Sequence, residues 1–397
     1  MQRVLTLLGI SVLALLAWGF VVLASAGGGN GMRLYSDPNH FIIHQAVWLL
    51  VALPFLFAAI RFDYHKWREW PWLTIGFYIV IVALMGAVFL FPRVNGSHRW
   101  VVFGPLRLQP SEFAKLLTVF ATAVFLDRAG WMVGKFWRGA CRAALIVAVP
   151  LGLALAEPDY GATMVIALVG GVLFLVSGMK ILHMVILGVT AGCVILSFLS
   201  FNANRMNRIL SWGKGMFGDA VVNATGAAVV LSDKEQAAAH QADMALVAIR
   251  NGGLTGVGFN KSYQKLRYLP EAHTDFIFAI GAEEWGLVFS LSLLALFVLF
   301  FVCGMVISAR APDRLGRLLA FGMTFLIFFQ AVFNIGVVTK CLPTKGLALP
   351  FISYGGTNLI SALIAVGVLF NVGRNASLNS GVWKLRGLAK GLRYRCA

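Results

Sequence analysis

In the stretch LPEAHTDFIFAIGAEEWG (269–286), a polar segment runs straight into an apolar helix and leaves Asp275 on the boundary. A carboxylate at the mouth of a hydrophobic span is a functional-site hypothesis by default. Thr274 is the expected N-cap, which puts Asp275 in the first helical turn, where the macrodipole favours the ionised form that a general base needs. Plain capping is the competing reading and, on residue type alone, the commoner one. His273 beside it reads as a hydrogen-bond partner. Glu283 and Glu284 follow about 12–14 Å further down the same helix, and read as glue between helices.

The densest collection of possible ligands is PRVNGSHRWVVFGPLRLQPSEFAKL (92–116). Val101 to Phe103, followed by Gly104-Pro105, predicts a short hairpin or reentrant element. Pro110-Ser111 opens a helix on which Glu112 and Lys115, three residues apart, share a face. Two readings stand: a structural ion pair, or a Lys115 that meets a substrate phosphate while Glu112 orients it or holds a metal. Arg99 and Arg107 extend the same anion site. The turn Glu157-Pro158-Asp159 supplies either helix caps or part of a polar cluster. In LPTKGLALPFISYGGTN (342–358), Pro and Gly break an apolar run, which at membrane depth requires burial in protein or a cavity. Lys345 there is a further candidate phosphate contact. The glycines of GGLTGVGF (252–259) read as turn formers, since no strand precedes them and no Lys-Ser/Thr follows.

The elements that hold these residues are spans of a membrane. Of 397 residues, 59% are hydrophobic and 12% charged, too apolar for a soluble core. Long apolar stretches recur at about 4–26, 41–60, 72–91, 111–127, 143–156, 160–177, 183–201, 275–307, 318–338 and 357–373. The expected fold is all-α, a polytopic bundle of about ten transmembrane segments with one large outer loop (202–274). Residues 1–373 form the transmembrane domain and 374–397 a basic cytoplasmic tail, read as an amphipathic helix. The 143–156 span is short and is expected either to tilt little or to borrow residues from its flanks. Residues 27–40 read as a glycine-rich connector. With both termini inside, the inner segments carry 18 basic residues against four acids, as the positive-inside rule requires. The many Lys and Arg left for the outer side suggest an anionic partner there. Nothing points to nucleic acid. Five scattered cysteines have no ligand or paired spacing and read as packing residues.

Four blocks in order, NGSHRWVVFGPLRLQPSEFAKL, EPDYGATMV, GFNKSYQKLRYLPEAHTDFIFAIGAEEWG and LPTKGLALPFISYGGTN, resemble those of the SEDS family of bacterial cell-wall polymerases, the group containing RodA and FtsW. The PTKG and LPEAHTDFIFA forms are closer to the division-type FtsW branch. The resemblance implies a membrane glycosyltransferase that polymerises lipid II into glycan strands, partnered by a class B penicillin-binding protein and other divisome membrane proteins. It places the catalytic aspartate at Asp275 and the substrate cavity at Arg99, Arg107, Gln109, Glu112, Lys115 and Asp159. The chain departs from the family between Arg208 and Gln241, where an alanine-rich sequence replaces the usual Asp-Pro, and at Trp285 and Thr357-Asn358.

On this reading Asp275 is the base of an inverting transfer at the periplasmic face of the bacterial cytoplasmic membrane, and the leaving diphosphate needs positive charge more than an acid. Lys115, Arg99 and Arg107 are the expected sources, with a divalent cation such as Mg2+ or Mn2+ as a further one; no nucleotide is needed. Two other functions are left open: a flippase for the same lipid-linked precursor, and a non-catalytic scaffold that activates the transpeptidase.

Overall fold

The computed structural model describes residues 1–92, 98–103, 106–200, 233–267, 272–342 and 346–393. In chain order the helices are α1 (Gln2–Tyr35), α2 (His40–Arg61), α3 (His65–Glu69), α4 (Pro71–Ala87), α5 (Pro110–Ala129), α6 (Cys141–Ala156), α7 (Tyr160–Val176), α8 (Ile181–Ser200), α9 (Asp233–Gly252), α10 (Gln264–Arg267), α11 (Ile277–Ala309), α12 (Arg314–Val338) and α13 (Gly356–Arg393). One small antiparallel hairpin, β1 (Val101–Phe103) and β2 (Leu106–Leu108), precedes α5, with Val101 opposite Leu108. Among the described residues eight helices are long and apolar enough to cross a membrane, and two shorter apolar ones, Tyr160–Val176 and Ile181–Ile195, bring the number to the ten that the sequence predicts.

Burial sorts these helices into a centre and a rim. The most apolar windows of α5 and α12 are 67% buried and that of α13 is 83% buried, against 17% for α2 and α4. The first three therefore form the core, while the rim helices turn side chains such as Leu50, Ile79 and Val189 outward, where lipid tails would solvate them. Local sequence sets the helix starts. Proline occupies the first turn of α4 and α5, where its missing N–H costs nothing. Asp159 caps α7 by accepting from Ala162 N, and Asp313 caps α12 by accepting from Gly316 N.

Two expected boundaries move. Residues 27–35 continue α1 rather than forming a connector, and the loop before α2 shrinks to Ser36–Asn39. The glycines are there for contact: Cβ atoms at Gly27 and Gly31 would meet Phe41 Cβ at 3.1 Å and the Asp37 carbonyl at 2.5 Å. The short fifth span does borrow from its flank, through a π-helical turn at Phe136–Ala140 that lengthens it to Phe136–Ala156. Leu5 lies against Gly373, so α1 begins at the end of the bundle where the described part of α13 passes out of the core. At that same end Tyr64 is buried, its hydroxyl bonded to Asp313 and its N–H to Asn371 Oδ1 at 3.4 Å.

α11 is not one continuous rod. Gly286 has φ 62 and ψ −149, which breaks the helical ladder. The loop after α9 restores the lost hydrogen bonds: Val257 N and Gly258 N donate to the carbonyls of Glu283 and Glu284, and Leu287 N donates to the Gly253 carbonyl. Gly253, Gly256 and Gly258 all have positive φ, and any side chain at Gly256 would strike the Glu284 carbonyl. The turn-forming role read for these glycines thus has a definite object, the gap in α11.

The two glutamates at the break are buried and held from three directions. Lys265 Nζ donates to Glu284 Oε1 at 2.9 Å, to Ser25 Oγ of α1 at 2.6 Å and to Asn260 Oδ1 at 2.6 Å. Ser25 bonds Glu284 as well, and Ser262 bonds Glu283. They are glue between helices, as expected, since Ser25 joins α1 to α11 through Glu284, and they fasten the loop after α9 as well. Lys265→Met leaves Glu284 without its counter-charge and should cost about 3–5 kcal/mol, seen as a lower thermal unfolding temperature in detergent; adding Glu284→Gln should recover part of the loss.

Candidate active site

Asp275 lies in a turn, residues 272–276, ahead of α11, which begins at Ile277 with Phe276 as N-cap and no side-chain cap. Thr274 therefore does not cap. Its carbonyl instead accepts from Ser353 Oγ at 2.7 Å. The whole turn is stitched to the broken segment 346–355: Tyr354 N donates to the His273 carbonyl at 3.0 Å, and Asn334 Nδ2 of α12 bridges the carbonyls of Asp275 at 3.0 Å and Leu347 at 2.5 Å. From α1, Asn30 stands 3.3 Å from His273 Nδ1, and the ring of Phe41 packs on His273 at 4.2 Å. His273 is thus a hydrogen-bond partner, as its type suggested.

The carboxylate of Asp275 rests against Gly346, so that a methyl group there would overlap it. On the other side of the same strand of chain, a Cβ at Gly161 would meet Leu347 Cγ at 2.8 Å and the Gly346 carbonyl at 3.1 Å. The first turn of α7 and the Asp275 turn are therefore separated by one thickness of backbone. Asp159, the cap of α7, accepts through Oδ2 from Gln109 Nε2 at 3.0 Å and Ser111 Oγ at 2.9 Å. Gln109 N in turn donates to Thr357 Oγ1 at 3.3 Å. These contacts bring the N-termini of α5, α7, α11 and α13 to one end of the bundle, each contributing partial positive charge.

The segment 346–355 reaches deep. Gly19, in the middle of α1, has room for no side chain because the carbonyl of Phe351 lies against it. Gln330 Nε2 caps the Ala348 carbonyl at 2.9 Å, Leu349 N donates to Ser353 Oγ at 2.8 Å, and Gln45 Nε2 reaches the Ser353 carbonyl at 3.3 Å. This is irregular backbone satisfied by protein, which is the condition for tolerating it at membrane depth.

Beneath the segment lies the Glu112–Lys115 pair. Lys115 Nζ donates to Glu112 Oε1 at 2.7 Å and to Gln330 Oε1 at 2.9 Å, and Lys115 is only 2% exposed. The structure brings the two residues together as the ion pair of the first reading, and Lys115 shows no open face to a phosphate. Arg99 donates to the Pro158 carbonyl and sits over the α6–α7 turn. Arg107, opposite Val102 in the hairpin, is exposed. Lys345 lies outside the described residues.

Gln330, Asn334, Ser353 and Asn30, with Asn358, whose Oδ1 accepts from Gln330 Nε2 at 3.1 Å, and Ser361, whose hydroxyl donates to Glu112 Oε2 at 3.5 Å, are parts of the site that reasoning on charged residues alone overlooks. Gln330 and Asn334 carry a legible signal, since amides four residues apart on an apolar span share a face that must look inward.

The sequence profile of the FtsW/RodA/SpoVE family, described as cell cycle protein, matches residues 6–378. The chain belongs to this family. It is 36% identical over 371 residues to the probable peptidoglycan glycosyltransferase FtsW of Coxiella burnetii, covering 91% of this chain and 94% of that protein. With the protein of the same name from Nitrosococcus halophilus it shares 35% identity over 378 residues, covering 94% and 92%. Among solved structures it is similar to the rod shape determining protein RodA of Thermus thermophilus, with TM-score 0.64 and 27% identity over 93% of this chain and 96% of that one. A chain of a peptidoglycan synthase complex that coordinates polymerization and crosslinking matches with TM-score 0.71 and 26% identity, covering 93% and 97%. The branch is FtsW, as the PTKG and LPEAHTDFIFA forms indicated.

Asn334→Ala leaves two buried carbonyls without their shared donor, at a cost of about 1–3 kcal/mol. Amide hydrogen exchange should accelerate across 272–276 and 346–349, while α5 and α13 keep their protection.

Proposed function

We propose that this membrane protein is a peptidoglycan glycosyltransferase that polymerises lipid II into glycan strands at the outer face of the bacterial cytoplasmic membrane during cell division. The observation that carries the reading is the placement of Asp275: a carboxylate braced by Gly346 in a turn fixed on three sides, where four helix N-termini meet. The names of the curated relatives support the reaction class.

Asp275 takes the proton from the 4-hydroxyl of the acceptor GlcNAc. The oxygen so freed attacks the anomeric carbon of the donor MurNAc, the bond from that carbon to the diphosphate oxygen breaks, and undecaprenyl diphosphate leaves with the electron pair and with inversion. One base suffices, because diphosphate departs as a stabilised anion. Arg99, Arg107 and the helix N-termini meet the charge that develops on it. Lys115 and Glu112 act from below, by fixing Gln330 and through it the 346–355 segment against which Asp275 rests. Among the described residues no three His, Cys, Asp or Glu side chains converge, so a divalent cation enters this proposal only as a variable of the assay. The expected partner is a class B penicillin-binding protein, with other division membrane proteins; the likeness to a chain of a synthase complex supports that expectation. Both termini would lie in the cytoplasm, in agreement with the basic residues at that end.

Asp275→Asn should keep the fold and partner binding yet yield no strands from purified lipid II with the cognate transpeptidase, on a gel that resolves polymer length. Unchanged polymer would sink the assignment. Gly346→Ala should push the carboxylate aside and lower kcat on the order of 100-fold with KM little changed, as misplacing a reacting group does.

A further inference from the structure

Glu157 is an acid near the site that the mechanism does not use, and its surroundings are unusual. It lies in the turn between α6 and α7 with 0% exposure, and neither carboxyl oxygen has a hydrogen-bond partner among the described residues. Asp159, two residues on, is the opposite case, with both oxygens engaged by Ala162 N, Gln109 and Ser111. Arg99 spans this turn. One end of its guanidinium donates to the carbonyl of Pro158, the residue next to Glu157, while its Nε is buried and donates to nothing. An orphaned donor and an orphaned acceptor thus lie at neighbouring residues without being joined.

A buried carboxylate beside an arginine forms an ion pair if it is charged, and has no need of one if it is neutral. The charged groups that face Glu157 among the described residues are Asp159 on its own turn and Arg99 from the segment before the hairpin; Tyr160 is the adjoining titratable residue. Burial first, and then Asp159, push the Glu157 carboxyl up to about 8, with Arg99 offsetting only part. Near neutral pH it therefore holds its proton, and the Arg99 guanidinium stays on the Pro158 carbonyl rather than on the carboxyl.

We propose that Glu157 is a positioning residue for Arg99: protonated, it leaves the guanidinium to an anionic oxygen of the lipid diphosphate, and ionised, it draws the guanidinium into an internal pair. This rests on the glycosyltransferase reading and adds a proton-controlled element to it. The proton that leaves Glu157 goes to solvent, and no bond to substrate is made or broken in the step. Affinity for the diphosphate, rather than the chemical step at Asp275, is what the switch governs.

The test is steady-state strand synthesis by the full chain with its transpeptidase, over a range of lipid II concentrations and pH. For the wild type, KM should rise roughly tenfold between pH about 7 and about 9, the consequence of one group titrating between them. Glu157→Gln, which is neutral at every pH, should hold the low-pH KM throughout, with kcat following the wild type. Arg99→Gln should show a high KM at every pH and no such rise. A second readout does not need turnover. Because the folded chain holds this proton more tightly than the unfolded one, stability should fall as pH rises from about 4.5 to about 8, and Glu157→Gln should lessen the fall. A rise in KM shared by wild type and the Gln variant would overturn the inference and leave the polymerase reading standing; a wild type that makes no strands at any pH would overturn both.

Discussion

Backbone that leaves the helix at membrane depth has no water to turn to, and the architecture of this protein follows from meeting that demand. The segment 346–355 and the turn 272–276 expose carbonyls and N–H groups in the middle of a bundle. Asn334, Gln330, Ser353 and Gln45 supply the partners, and nearly all come from side chains rather than from a sheet or helix ladder. The result is a rigid mount for one carboxylate. Its rigidity is a by-product of solvation, because each partner that satisfies the chain also fixes its course.

The same economy explains the buried charges. Two lysines lie inside the bundle, Lys115 and Lys265, and each is matched to a glutamate within 3 Å and to further oxygens. Neither pair is a source of much stability, since desolvation takes back most of the attraction. What each does is specify position. Lys115 ties α5 to α12 under the reentrant segment, and Lys265 ties the long loop to α1 and α11. One hub fixes the floor of the site and the other fixes the helix that follows Asp275.

Much of this was legible in the residues. Apolar runs gave the helices, Gly104-Pro105 the hairpin, Pro110 the start of α5, and the blocks around Arg99, Asp159 and Asp275 the polar residues that stand together at one end of the bundle. What escaped depended on distance in the chain. Thr274 has the type of a cap, yet Ser353 claims its carbonyl from 79 residues away, and no local pattern records that. The glycines at 27 and 31 read as a connector because their composition is that of a loop, while their use is close contact with the start of α2. Gly286 sits inside an apolar run that periodicity treats as one helix; its break is tolerable only because the 253–258 loop brings replacement hydrogen bonds. Glu157 and Asp159 are chemically alike and two residues apart, and only the fold distinguishes the satisfied acid from the solitary one.

The break at Gly286 divides α11 into a short stub and a long shaft. The stub carries Glu283 and Glu284 and leads directly back to Asp275, and the loop that replaces the missing hydrogen bonds holds both sides of the break, the stub at the Glu283 and Glu284 carbonyls and the shaft at Leu287 N. Because one loop bonds both sides of the break, the angle between stub and shaft is set from outside the helix, by residues 253–258, and with it the direction in which the chain leaves the Asp275 turn.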